Sequence, residues 1–96
     1  MKISYKTNGV CARLINIETD EATGKVKSDQ FVGGCNGNTK GISALVKDMD
    51  IDEVIERLQG ITCGIKPTSC PDQLAKALKE LKKSFEYSVI SQFFID

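Results

Sequence analysis

The sequence predicts an α+β fold, a three-stranded antiparallel sheet followed by three helices packed on one of its faces. Three observations predict it. Up to about residue 32 the apolar residues fall in short β-type runs, with polar residues interleaved. From Ile42 onward the apolar spacing becomes three and four, the period of an amphipathic helix. Between these runs lie turn-forming clusters at Asn8-Gly9, Asp20 to Gly24 and Gly33 to Gly37.

Each element follows in order. Ile3 and Tyr5 alternate with polar residues in the first strand, and Asn8-Gly9 predicts a two-residue hairpin loop after it. Val10 to Thr19, rich in Val, Ile and Leu, is the second strand; Asp20 to Gly24 is a polar turn. Lys25 to Val32 is the third strand, with Val26 and Phe31 as its core residues. In the first helix Ile42, Leu45, Val46 and Met49 share one face, and Asn38 is placed to cap it. Asp50 starts the second helix and forms a capping box with Glu53; Val54, Ile55 and Leu58 face inward and Gly60 suits its C-terminal end. After a loop over residues 61–69, the third helix opens at Pro71 with Leu74, Ala77, Leu78, Leu81 and Phe85 as its stripe. No repeat or linker divides the chain, so its 96 residues predict a single domain over 1–96, with a core at roughly 5–81 and a C-terminal tail at 85–96.

Composition narrows the function. Lys plus Arg and Asp plus Glu both number 13, so no basic excess supports nucleic-acid binding. Clustered acids at Asp48, Asp50, Asp52 and Glu53, and Lys76, Lys79, Lys82 and Lys83, fit helix capping and solvated helix faces. The opening "MKISYKTNG" has no apolar core of a secretory signal, and no apolar run is long enough to span a bilayer; both predict a cytoplasmic protein. In a reducing compartment the four cysteines, Cys11, Cys35, Cys63 and Cys70, point to metal ligation or thiol chemistry rather than disulfides. The chain has no histidine, which excludes a His base and any His-containing metal site.

Position is the argument for the cysteines. With Pro71 at the first helical position, Cys70 becomes the helix cap. A neutral thiol caps poorly, whereas the helix dipole and the amides of Asp72 and Gln73 favour a thiolate. Cys35 lies in "FVGGCNGNTKG", where the third strand gives way to the first helix, and Gly33, Gly34 and Gly37 permit close approach of a bound group. That segment lacks the Gly-Lys-Ser/Thr ending of a phosphate-binding loop. Cys11 follows the first turn, and Cys63 precedes Cys70 by seven residues. No Cys-x-x-Cys pair is present; the bland alternative is that each cysteine is a small buried hydrophobe.

The blocks "GVCARLI", "FVGGCNGNTKGISALV", "IDEVIERLQGITC" and "TSCPDQLAKAL" together resemble the TSCPD domain, named for Thr68 to Asp72 here. The resemblance covers roughly Tyr5 to Leu81. That family includes small stand-alone bacterial proteins and the C-terminal segment of adenosylcobalamin-dependent ribonucleotide reductases, so the resemblance implies an association with deoxynucleotide synthesis. A chain of 96 residues is too short to hold the reductase barrel and its cobalamin site, so the resemblance does not by itself imply reductase activity. The order of elements is also similar, more distantly, to U-type iron–sulfur cluster scaffold proteins. That likeness implies ligand roles for Cys11, Cys35 and Cys70, and leaves Cys63 as a fourth thiolate.

These observations predict a thiolate metal site of Cys11, Cys35, Cys63 and Cys70, shaped by Gly33, Gly34, Gly37, Asn38, Pro71 and Asp72, and holding zinc ahead of an iron–sulfur cluster. Its alternatives are a cysteine redox relay to a ribonucleotide reductase, with Cys63 and Cys70 as the pair, and an interaction module for a larger protein. The segment "FEYSVISQFFID" holds four of the six aromatic residues in the chain, more than one small core can receive, and predicts a homodimer. Light scattering giving the mass of one chain at high micromolar concentration would contradict the dimer.

Overall fold

The protein is described by a computed structural model at residues 1–10, 12–33 and 36–95, with side chains at 1–10, 12–33 and 37–83. The order of elements is the predicted one: β1 (Lys2–Lys6), β2 (Ala12–Asp20), β3 (Lys25–Gly33), α1 (Asn36–Val46), α2 (Ile51–Leu58) and α3 (Cys70–Ile95). The strands form an antiparallel sheet in the order β1-β2-β3. Ile3 pairs with Ile17, Tyr5 with Ile15, and Ile15 with Phe31, so one face of the sheet is apolar. The helices cover that face: α1 lies along β3, α3 crosses β2, and α2 packs on α3.

The core is built from both periods. Ile15, Ile17 and Val26 from the sheet meet Val46, Val54, Leu74, Ala77, Leu78 and Leu81 from the helices, with Phe31 packed against them. Two irregularities in the β2–β3 ladder re-aim side chains that strict alternation would send to solvent. Ala12 pairs with Gly33 and Leu14 with Val32, which leaves Arg13 as the extra residue and turns Ala12 inward. Glu18 pairs with Ser28 and Thr19 with Val26, so Lys27 is skipped and Val26 is fully buried.

Several local expectations are corrected. The connection after β1 is longer than a two-residue loop, since Lys6 is paired with Leu14. The Thr7 hydroxyl donates to the Ala12 carbonyl, the Thr7 N–H to that of Arg13, and the Asn8 N–H leaves the hairpin for Gln73 on α3. Gly9 still supplies left-handed backbone, at φ 73°. Helix α1 begins at Asn36, so Asn38 is inside the helix and not its cap, and Gly37 lies in its first turn without using its freedom for positive φ. Gly33 does use it, at φ 84°, where β3 ends. Leu45 is 76% exposed rather than inward. Helix α1 stops at Val46 and the chain turns through Asp48 at φ 67°, so its contact with β3 is a narrow stripe through Ile42 and Val46. Asp50 is the N-cap of α2, but its carboxylate makes no cap bond and no capping box forms. Glu53 is instead 2.9 Å from Arg57, and residues 48–51 bridge onto the start of β3, with the Val26 N–H donating to the Met49 carbonyl and the Ile51 N–H to that of Gly24.

Helix α3 continues to Ile95, so the predicted tail is helical in its backbone. The side chains on which the aromatic dimer contact rests, Phe85 onward, lie outside the described residues, as does the Phe85 end of the predicted stripe. Among the described residues no helix is long and apolar enough to cross a membrane.

Candidate functional site

The start of α3 is organised by four buried polar side chains, each at most 6% exposed: Thr68, Ser69, Asp72 and Gln73. Ser69 is the cap. Its hydroxyl accepts the Asp72 N–H at 3.2 Å and its carbonyl the Gln73 N–H at 2.8 Å, the first helical bond. Cys70 is therefore the first helical residue and Pro71 the second, one position later than expected. A hydroxyl is the better acceptor for these amides, and a proline is tolerated throughout the first turn because its missing N–H has no helical partner there. The amides assigned to a Cys70 thiolate are thus already taken by Ser69.

Asp72 is a tie between segments. Its carboxylate accepts the Thr68 hydroxyl at 2.5 Å and the Gly60 N–H, just past α2, at 2.7 Å; Lys76 lies 3.4 Å away. Burial raises the pKa of this carboxyl, but the Thr68 and Gly60 hydrogen bonds and the Lys76 ammonium outweigh it and hold it below the usual carboxylate value. Gln73 donates to the Thr68 oxygen at 2.9 Å and accepts the Asn8 N–H at 3.1 Å. The Ser69 hydroxyl donates to the Ile61 carbonyl at 2.6 Å. Together these bonds clasp α3 to the end of α2 and to the loop after β1.

Above the clasp lies a cleft of about 300 Å³, lined mainly by apolar atoms. Four chain segments form it: Val10 after β1; Asn38, Thr39 and Ile42 of α1; Cys63 and Lys66 of the 61–69 loop; and Ser69, Cys70 and Pro71 at the start of α3. Cys63 is exposed, Cys70 is half-buried, and both are free thiols. Among the described residues Lys66 is the one charged residue in the wall. The base of the loop bearing Cys63 is closed by the Ser69–Ile61 and Gly60–Asp72 bonds, and a turn from the Lys66 N–H to the Cys63 carbonyl shapes its tip, where Ile65 is fully exposed.

The structure thus brings Cys63 and Cys70 to one cleft, with Asn38 and Pro71 in its wall. Cys11, Gly34 and Cys35 lie outside the described residues. Their sequence positions place Cys11 next to Val10 of the wall, and Cys35 three residues before Asn38. Among the described residues no three Cys, Asp or Glu side chains gather closely enough to hold a metal ion. Sequence reasoning passed over Thr68, Ser69 and Gln73. The signal for Ser69 was present, because Ser69-x-x-Asp72 is a capping pattern placed one residue before Cys70. Gln73 carries no such pattern, since its partner lies 65 residues away.

A second polar feature is separate from the cleft. Asp29 on β3 faces α1, where the Ser43 hydroxyl donates to one carboxylate oxygen at 2.9 Å and the other oxygen has no partner among the described residues. Burial pushes its pKa up, and the Ser43 bond offsets only part of that.

Residues 2–82 match the family model of the TSCPD domain. No curated protein and no solved structure matches the chain, so the likeness to iron–sulfur scaffolds gains no support from them. The matched span runs from β1 into the middle of α3 and includes the clasp, the cleft and both described thiols. The chain belongs to the TSCPD domain family.

Proposed function

We propose that the cleft is a thiolate metal site, taking zinc ahead of an iron–sulfur cluster, in a small domain that serves ribonucleotide reduction through a larger partner. The observation that carries this reading is the placement of two free thiols, Cys63 and Cys70, in one cleft whose other walls adjoin Cys11 and Cys35 in sequence. The donor set suits the ion: thiolates are soft, Zn²⁺ takes four ligands tetrahedrally, and among the described residues no carboxylate lines the cleft to favour a harder cation. Cys70 would contribute from a helix start fixed by Ser69, and Cys63 from a loop pinned at its base. Cys11 and Cys35 would complete the set. Bound zinc would cross-link these segments. Family membership, not the cleft, supports the link to ribonucleotide reduction.

The same observation favours one rival. Two free thiols in one cleft suit a relay that passes a reducing pair to a ribonucleotide reductase, cycling between dithiol and disulfide with loss of two electrons and two protons to the acceptor. Thiol titration with and without oxidant separates the two. A metal site releases its metal as thiols are modified, and added metal protects them. A relay shows a reversible two-electron couple confined to Cys63 and Cys70, with no metal released, and that result would set the metal reading aside.

A further inference from the structure

A cap for α3 needs Ser69 and nothing more, yet three further polar side chains are buried beside it, two of them joined to other parts of the chain. Asp72 reaches the end of α2, Gln73 reaches the loop after β1, and Thr68 links the two by donating to one and accepting from the other. Buried polar groups cost free energy relative to apolar packing unless each is satisfied, and what a satisfied network supplies is one fixed arrangement. Three walls of the cleft hang from this network: Val10, two residues beyond Asn8; Cys63, on the loop closed by Gly60 and Ile61; and Cys70, between Ser69 and Pro71. The backbone packs closely as well, since a Cβ built on Gly9 would lie 3.2 Å from the Thr68 methyl carbon.

We infer that Thr68, with Asp72 and Gln73, is a positioning residue for the thiol cleft: its hydroxyl, rather than any contact with a ligand, sets Cys70 against Cys63 and the loop after β1. The inference rests on the cleft being the working site, as proposed above, but holds whether the thiols bind metal or exchange electrons. Its test therefore uses thiols alone. Full-length, reduced, chelator-stripped protein is pulsed with iodoacetamide well below its melting temperature, and alkylation of Cys63 and Cys70 is mapped by peptide mass. Thr68→Val keeps the side-chain shape but can neither donate to Asp72 nor accept from Gln73. It should speed alkylation of Cys70 about tenfold, the effect of losing a buried hydrogen bond on local opening, and leave the exposed Cys63 unchanged. Thr68→Ser keeps the hydroxyl and should stay within about twofold of wild type. Hydrogen exchange at the buried Leu78 amide reports any global loosening, which would move independently of the Cys70 to Cys63 ratio. If Thr68→Val does not fold, Gln73→Met removes the other half of the link and should give the same ratio. An unchanged ratio in the variant that folds, or a Thr68→Ser protein that behaves like Thr68→Val, would overturn the inference. A protein that binds no metal but shows the expected ratio would leave it standing and refute only the metal reading.

Discussion

Replacing Asp72 with Ala lowers the stability of the protein by about 3 kcal/mol, the scale of a buried charged acceptor removed from its donors. The change leaves the Thr68 hydroxyl and the Gly60 N–H without their acceptor in a site where Asp72 is 4% exposed. Asp72→Asn costs less, because an amide oxygen still accepts one of the two. The effect carries a pH signature whose sign follows from the lowered pKa. A carboxyl that titrates lower folded than unfolded stabilises the fold above its ordinary value, 3.8 here, and that contribution disappears as pH falls through its native value. The wild-type advantage over Asp72→Asn is therefore full near neutrality and shrinks on acidification below about pH 4. Asp29 contributes with the opposite sign, because its raised pKa favours the protonated fold, so stability from that site rises as pH falls. Urea unfolding of both variants across this range checks the size and the sign. An Asp72→Ala protein as stable as wild type would mean that the clasp does not stabilise the fold.

The second large effect belongs to Cys70. Cys70→Ser should abolish tight metal binding, because a serine hydroxyl is a poor zinc ligand at neutral pH. Loss of the metal then removes several kcal/mol of stability through the linkage between binding and folding. Since Ser69 already caps α3, the new hydroxyl has no cap to improve, and the metal-free forms of variant and wild type should melt alike. The comparison is thus internal: a large difference with metal present, almost none after chelation. A Cys70→Ser protein that keeps its metal and its melting temperature would remove Cys70 from the site. Parallel Ser substitutions at Cys11, Cys35 and Cys63 count the ligands.

Much of the architecture was legible in the sequence because it depends on period. The switch from β-type runs to helical spacing at Ile42 located the sheet and the helices, and Leu74, Ala77, Leu78 and Leu81 were found where the stripe placed them. What period does not encode was missed. The bulges at Arg13 and Lys27 depend on how two strands meet, and Leu45 is exposed although it shares the spacing of Ile42 and Val46. At the candidate site the cysteines stood out by type, and two of them do share a cleft. The clasp beneath them did not stand out, because Thr, Ser and Gln are common in loops and helix starts, and the bond from Asn8 to Gln73 joins opposite ends of the domain. Cys70 drew attention as a cap although its neighbour Ser69 was the better chemical choice.

The central claim, that the cysteines form a thiolate metal site, is tested most directly by elemental analysis of anaerobically purified protein, counted against its reactive thiols. The account predicts close to one zinc per chain, or iron with sulfide in its place, released in proportion as thiols are modified, and absent from Cys70→Ser. Protein that carries no zinc, iron or cobalt, and whose thiols react freely without releasing metal, would contradict it.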